Sequence, residues 1–583
     1  MMRASTCVLF FASVALAAAP YELTVETGVE MKTRDGVTLR ADIYRPKADG
    51  KFPVLLQRTP YNKGDGESDF GKRAAALGYV VIIQDVRGRY TSDGEWYPFK
   101  NESNDGFDTI EWAAALPYSN GKVGMYGGSY VGATQMLTAI ASPPHLAGIF
   151  PVVTASNYHD GWTYQGGAFE QWFNESWTSG LTEDTLTRSV RKARNTLNWI
   201  WKLPLTEYPF FDEPSPRSLA PYFADWAHHP DFDDYWRQWS IEDHYDNVKV
   251  PAYSVGGWYD IFQGGTIRNY AGMKSRARGQ RLMIGPWYHG PFSGTAGELS
   301  FGPSAKGDTD TDQLRWYDHL LRGIDNGSDR EKPVKIFVMG KKAWRDEDDW
   351  PLARARSTRY YLHSAGGANT HTGDGTLDTS GPADEHADRY TYDPANPAPT
   401  RGGGLCCDND HLGSGAFDQR TVEERKDVLV YTTPAFSSDF EVTGPIAAEL
   451  YVSSSAVDTD FTAKLVDVWP NGFAQNLTEG ILRARYRDSQ AHPELMKSAE
   501  VYKIRIDMWN TSNVFLAGHR LRVEISSSNF PRFDRNLNTG EIAGGSSNMV
   551  KAENVIYHDA QHPSVMILPV VNLNPLASRF RRR

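Results

Sequence analysis

The sequence predicts an α/β protein with a helical cap inserted into its sheet and a C-terminal all-β domain of the β-sandwich, or jelly-roll, kind. Three observations carry that prediction. Between residues 53 and 154, continuous apolar runs of strand length, such as Pro53-Val54-Leu55-Leu56 and Val80-Val81-Ile82-Ile83, alternate with helix-compatible stretches. That is the pattern of a parallel sheet covered on both faces. From residue 156 to 246 the alternation stops, and the chain becomes dense in Trp and Tyr with charged helical pieces at 183–201 and 231–239. Beyond Trp350 the composition shifts towards Gly, Pro, Thr, Ser and Asp, with short β-rich runs between turns. At 583 residues the chain also exceeds what one hydrophobic core serves.

Taken in order, residues 1–19 read as an export signal. Arg3 gives a positive start, the stretch from Cys7 is almost uninterruptedly apolar, and Ala17-Ala18-Ala19 before Pro20 suits cleavage. The run is too short to span a bilayer, and no other segment approaches that length. The expectation is an exported protein, periplasmic or extracellular, with no membrane span. Residues 31–44 alternate around Asp35-Gly36, a hairpin signal that makes an antiparallel entry to the sheet. Strands at 53–58 and 79–85 flank a helix at 70–77. A helix at 105–115, a strand ending at Tyr126, a helix at 133–141 and a strand at 146–154 follow. After the cap, strands at 250–256 and 280–285, a helix at 310–321 and a strand at 334–339 resume the rhythm. Residues 20–155 and 247–350 are therefore assigned to the α/β domain, 156–246 to the cap and 351–583 to the C-terminal domain. Residues 366–418 read as a long polar, Gly-rich connection.

A net charge of −11 and the lack of a basic stripe argue against a nucleic-acid partner, and the Arg579 to Arg583 tail reads as a solvated terminus. The abundance of aromatics, 17 Trp, 29 Tyr and 26 Phe, suits large buried surfaces and a cleft. Loss of Cys7 with the signal leaves only the adjacent Cys406 and Cys407, which excludes a disulfide framework. With His411 they lack the ligand count and spacing of a zinc site. The pair is either two free thiols or a vicinal disulfide favoured by an oxidising compartment.

The chemistry concentrates on Met125-Tyr126-Gly127-Gly128-Ser129-Tyr130-Val131-Gly132. Ser129 stands on a strand-to-helix turn, where small neighbours let the backbone fold sharply and lift the hydroxyl beside the amide donors of the helix. The general pattern G-x-S-x-G has its second glycine where this chain has Val131; here the glycine comes one place later, at Gly132. By itself, the octapeptide reads equally well as a Gly-rich turn of any parallel sheet. A serine needs a base to take its proton, and the base needs an acid to orient it. Asp260, just past the strand at 250–256, and His289, just past the strand at 280–285, supply both in the order serine, acid, histidine.

Five motifs in order, Arg58-Thr59-Pro60-Tyr61-Asn62-Lys63, Asp85-Val86-Arg87-Gly88, Gly127-Gly128-Ser129-Tyr130-Val131-Gly132, Gly257-Trp258-Tyr259-Asp260 and Gly285-Pro286-Trp287-Tyr288-His289, resemble those of the cocaine esterase and NonD-type serine hydrolases. These are relatives of the X-Pro dipeptidyl-peptidases, glutaryl-cephalosporin acylases and α-amino-acid ester hydrolases. The resemblance covers nearly the whole chain after the signal. It implies an α/β-hydrolase fold with a helical cap and a jelly-roll domain, and an elbow of the form G-x-S-Y-x-G, which Gly132 satisfies. It also implies Ser129 as nucleophile, His289 as general base and then acid, and Asp260 as its partner. The Tyr61 phenol and the Tyr130 backbone amide take the oxyanion role. Asp85 and Arg87 are expected to form a buried ion pair that supports the end of the sheet, the alternative being direct contact with substrate.

Relatives that accept a free α-amino group are expected to carry carboxylates near the site, because a desolvated ammonium must be neutralised. Asp160 is a candidate member of such a set, but Ile261-Phe262-Gln263 after the acid hold no carboxylate. Trp162, Tyr164, Phe169, Trp172, Phe173, Trp258 and Trp287 are candidates for an aromatic or apolar acyl pocket. The expected reaction is hydrolysis of a small-molecule ester or amide through an acyl-enzyme, with no metal or cofactor. The alternatives are an X-Pro dipeptidyl-peptidase, or a β-lactam acylase or α-amino-acid ester hydrolase, on the same scaffold. A third is a catalytically inactive protein whose β domain binds carbohydrate.

Overall fold

The computed structural model describes residues 20–187, 200–205, 220–542 and 545–571. The expected export signal with Cys7, the Arg579 to Arg583 tail and most of the expected helix at 183–201 lie outside these residues. Ten strands form the first sheet: β1 (Leu23–Lys32), β2 (Thr38–Pro46), β3 (Phe52–Thr59), β4 (Val80–Asp85), β5 (Ser119–Gly128), β6 (Leu146–Val152), β7 (Tyr253–Gly257), β8 (Arg281–Gly285), β9 (Val334–Val338) and β10 (Ala343–Glu347). Their spatial order is β1-β2-β4-β3-β5-β6-β7-β8-β9-β10. The strands from β4 to β9 run parallel, while β1, β2 and β10 join antiparallel at the edges.

The central strands read as unbroken apolar runs because both faces are covered. Alternate side chains point to opposite faces of a strand, and they fall into two separate cores. Val54, Leu56, Val80, Ile82, Val123 and Met125 pack with helices α2 (Glu102–Ala115) and α3 (Tyr130–Ile140). Leu55, Val81, Ile83 and Phe150 pack on the other face with α1 (Asp69–Ala76) and Thr309–Arg322. Gly124 marks one crossing: a Cβ there would lie 2.5 Å from the Tyr317 ring. The ring passes over β5, and its hydroxyl donates to the Met125 carbonyl.

Two helices depart from the periodicity, both through buried polar residues. Helix α2 begins at Glu102, three residues before the expected start. The Glu102 carboxylate is buried against Arg58 Nη1 at 2.7 Å, so its first turn carries no apolar signal. In the cap, helix α4 (Gln171–Thr187) precedes the expected piece at 183–201. Gln171, Asn174, Glu175 and Thr178 are as deeply buried as Trp172 and Phe173, so this helix has no polar face from which a period could be read. Helix α5 (Pro221–His228), a single turn at Asp234–Arg237 and a 3₁₀ stretch at Glu242–Asn247 complete the described helical pieces before β7.

The second sheet has eleven strands, beginning at Arg356–His363. The stretch at 366–418, expected as an open connection, contributes strands Thr376–Asp378 and Asp388–Tyr392 to it. The two sheets share one apolar cluster, in which Trp258, Ile267, Leu282 and Ile336 join Leu362, Ala448, Met508 and Ile525. Polar clamps reinforce this junction. Asn476 O accepts from the Tyr259 hydroxyl at 3.0 Å, and Gln263 at the start of α6 (Gln263–Met273) exchanges hydrogen bonds with the Asn510 backbone.

Within the C-terminal domain, His558 is fully buried between two carboxylates. Its Nε2 lies 2.9 Å from Asp388 Oδ2 and its Nδ1 3.2 Å from Glu385 Oε2. Burial opposes the imidazolium, but the bonds to Asp388 and Glu385 outweigh it and hold the pKa above the ordinary 6.5. A raised folded value means stability that is complete below the unfolded pKa and fades as pH rises through the folded one. The loss of thermal stability in His558→Gln is therefore expected to be largest near about pH 6 and to shrink towards about pH 9. Melting of both proteins across that range checks it; a pH-independent difference contradicts the assignment.

Candidate active site

Ser129 occupies the sharp turn between β5 and α3, at φ 60° and ψ −127°. A non-glycine residue pays about 1–3 kcal/mol for such a conformation, so its surroundings must hold it. The Ser129 N–H donates to Val152 O at 2.9 Å, and its carbonyl accepts from the amides of Gly132 and Ala133. The displaced glycine has a steric origin. A Cβ at Gly127 would lie 2.3 Å from Val131 Cγ1, whereas a Cβ at Gly132 would lie 2.8 Å from Thr154 Cβ. Position 131 thus leans on a glycine and accepts valine, and position 132 meets the chain after β6 and does not.

The acid and the histidine are brought level by their backbones. The amides of Trp258 and Tyr259 donate to the carbonyls of Gly285 and Trp287, each at 2.9 Å. This close approach is why residue 257 is a glycine, since a Cβ there would stand 2.1 Å from the Trp287 carbonyl oxygen. As a result, His289 Nδ1 lies 2.7 Å from Asp260 Oδ1, and Asp260 is 1% exposed. Phe262 packs nearly perpendicular to the imidazole at a centroid distance of 5.1 Å, and Trp162 stacks on Phe262 at 4.4 Å.

Tyr61 is positioned from both sides. Asp85, at the end of β4, accepts from Lys63 N at 2.8 Å with one oxygen and from Thr91 N and Oγ1 with the other. Arg89 Nε donates to Pro60 O at 2.9 Å, and Arg89 Nη1 to Leu181 O of α4 at 2.8 Å. The expected Asp85–Arg87 pair is not formed, because Arg87 binds Asp105 and Asp35 instead. Asp85 is spent on backbone and hydroxyl donors of the two loops flanking the strand end. The Tyr61 hydroxyl accepts from Trp177 Nε1–H at 3.0 Å and faces the Ser129 side chain and the Tyr130 amide. Although 38% of the residue surface is open, the hydroxyl end is crowded. Burial there pushes the phenol up, against the opposing pull of Trp177, Ser129 and Tyr130.

Tyr61, Ser129 and His289 line one cavity of about 410 Å³, faced by Trp177 and Leu181 of α4 and by Cys407. Other candidates from the sequence lie elsewhere. Asp160 binds Arg268 at 3.1 Å and accepts from Gly166 N. Trp162, Phe169, Trp172, Trp258 and Trp287, all 3% exposed or less, are packed in cores and do not line the cavity. The indoles of Trp258 and Trp287 donate to Phe337 O and Ala305 O, which fixes them behind the acid and histidine loops. Tyr164 and Phe173 are likewise core residues. Residue type alone does not tell a wall from a core; Trp177, Arg89 and Cys407 carry no local signal that they face the serine. Cys406 and Cys407 are joined in a vicinal disulfide. Among the described residues, no group of three or more His, Cys, Asp or Glu side chains is arranged to hold a metal.

A mostly parallel sheet with a strained serine after β5 and a histidine after β8 is the architecture of an α/β hydrolase. The chain matches the X-Pro dipeptidyl-peptidase (S15 family) over residues 35–291 and the X-Pro dipeptidyl-peptidase C-terminal non-catalytic domain over 326–567. It is 39% identical over 569 residues to cocaine esterase of Rhodococcus sp. (strain MB1 Bresler), covering 94% of this chain and 99% of that one. Among solved structures it resembles an aminopeptidase from the marine sediment archaeon Thaumarchaeota archaeon, with a TM-score of 0.79 at 25% identity over 98% of this chain and 99% of the other. An α-amino acid ester hydrolase gives a TM-score of 0.80 at 25% identity over 97% and 100%. The chain belongs to the cocaine esterase and NonD-type serine hydrolases of the S15 family.

The elbow geometry makes a structural prediction. Gly132→Val is expected to destabilise the protein by about 1–3 kcal/mol through overpacking against Thr154, and Gly132→Ala, with its smaller side chain, by less. Urea unfolding of the two variants measures this; equal effects would remove the steric account of the displaced glycine.

Proposed function

We propose that Ser129 is the nucleophile of this serine hydrolase, with His289 as general base and then acid, and Asp260 as the group that fixes the imidazole. The observation that carries the reading is the 2.7 Å Asp260–His289 bond beside a strained Ser129 on the same cavity. In the first step His289 Nε2 takes the Ser129 proton as Oγ attacks the carbonyl carbon, and Asp260 balances the imidazolium. The Tyr61 hydroxyl and the Tyr130 N–H, neighbours at the serine turn, donate to the oxyanion. Burial holds Tyr61 above its ordinary value of 10, so it stays protonated and can donate. The imidazolium then gives its proton to the leaving group, and water repeats the sequence on the acyl-enzyme.

The substrate we favour is a small uncharged ester. The described lining of the cavity holds no carboxylate to neutralise an α-ammonium, and Asp160 is engaged with Arg268. The likeness to cocaine esterase supports an ester over a peptide. We also propose export through residues 1–19, to which the vicinal disulfide is suited. Residues 20–155 and 247–350 would form the hydrolase domain, 156–246 the cap and 351–583 a jelly-roll domain.

Ser129→Ala is expected to abolish hydrolysis and labelling by a fluorophosphonate probe, and undiminished turnover in this variant refutes the mechanism. Tyr61→Phe should lower kcat by about 10²–10³ with little change in KM, by analogy with measured oxyanion donors. Asp260→Asn should lower kcat by about 10⁴. On a panel of p-nitrophenyl esters and Gly-Pro or Ala-Pro p-nitroanilides, the esters should be cleaved faster; exclusive cleavage of the anilides establishes the dipeptidyl-peptidase reading instead.

A further inference from the structure

The loop at 403–415 runs from the C-terminal half of the chain to the cavity beside Ser129. Reciprocal backbone bonds between Gly403 and Gly415, 2.8 and 2.9 Å long, close its base. Gly404 rests on the acid loop, where a Cβ would meet the Asp260 carbonyl oxygen at 3.2 Å. Ser414 Oγ donates to Leu405 O at 3.0 Å, and Ser176 Oγ of α4 donates to Cys406 O at 3.4 Å. Each cysteine of the disulfide has a different environment. Cys406 is 2% exposed and belongs to the apolar cluster that contains Tyr130, Trp177 and Phe262. Cys407 is exposed and lines the cavity together with Trp177 and Leu181 of α4.

The bond therefore ties a residue of the core to a residue of the cavity wall. Cys407 has φ 82°, a region that a residue with a Cβ keeps only when its surroundings hold it there. Covalent attachment to an immobile neighbour supplies that hold. An open loop residue without it would sample many backbone conformations, and a substrate group would have to order it on binding.

We propose that the Cys406–Cys407 disulfide is a specificity-determining element of the site: the oxidised pair fixes the wall that receives the bulky group of an ester. Its two-electron reduction then weakens binding of bulky esters and leaves the chemistry at Ser129 unchanged. The inference rests on Ser129 as nucleophile. In the reduction a dithiol attacks the S–S bond, each cysteine sulfur gains one hydrogen, and the dithiol closes to its own disulfide, so two electrons and two protons are accounted for. Exposure of Cys407 gives the reductant access.

The test compares p-nitrophenyl acetate with p-nitrophenyl cyclohexanecarboxylate on the full chain, oxidised and after dithiothreitol, with thiol titration confirming two new thiols. Reduction is expected to raise KM for the bulky ester by about 2- to 10-fold, the equivalent of ordering one flexible side chain. KM for the acetate and kcat for both esters should stay within about two-fold. Re-oxidation should restore the low KM, and the double variant Cys406→Ser with Cys407→Ser should show the high KM and ignore dithiothreitol. Equal kinetics in the two redox states overturn the proposal. A shared fall in kcat on both esters also overturns it, since that assigns the bond a general structural role. Ser129→Ala separates the two claims: if it is inactive and the wild type is blind to redox state, only the disulfide inference fails; if it remains active, both fail.

Discussion

The close passage of Gly257 beneath the Trp287 carbonyl is the contact on which the rest of the site depends. Because no side chain intervenes, the loops after β7 and β8 bond to each other as if the strands continued, and Asp260 and His289 emerge at the same height. Everything around this pair acts to keep it level. Trp258 and Trp287 are pinned behind the loops by their indole donors, the Phe262 and Trp162 stack backs the imidazole, and the second sheet grips Tyr259 and Gln263. The aromatic wealth of the chain is thus invested mainly in rigidity, which suits a site whose geometry must be set before substrate arrives.

The opposite side of the site is held by charge. Asp85 gathers the loop of Tyr61 and the loop of Thr91 onto one strand end, and Arg89 extends that grip to the carbonyls of Pro60 and Leu181. A single guanidinium therefore joins the Tyr61 loop to the cap helix α4, whose Trp177 donates to the same phenol. Removing the arginine would disturb both the proposed oxyanion donor and the cavity wall, of which it is itself a part.

The placing of Ser129, Asp260 and His289 at strand ends was legible in the sequence, because strand ends can be located from apolar runs and the proposed nucleophile, acid and base follow a fixed chain order. The walls were not, for reasons of geometry. Trp172 and Trp177 lie five residues apart on α4, about 140° apart around the helix axis. Both are buried, and only Trp177 also reaches the cavity wall, yet their residue type is the same. The start of α2 was hidden by a buried carboxylate whose partner, Arg58, lies on another strand. Likewise, Cys407 reaches the serine only through the tertiary path of the loop at 403–415. Local pattern reports a residue's own element; it carries little about contacts closed by a distant one.

The shared apolar cluster of the two sheets has a consequence for how the molecule comes apart. With Trp258 and Ile336 packed among the same side chains as Leu362 and Met508, peeling the C-terminal half away would expose apolar surface of the hydrolase half to water. Each half presents the other with the apolar surface it would otherwise expose to water. A β-domain strand far from Ser129 is thus joined to the acid loop through the same packed side chains and through the bonds of Tyr259 and Gln263.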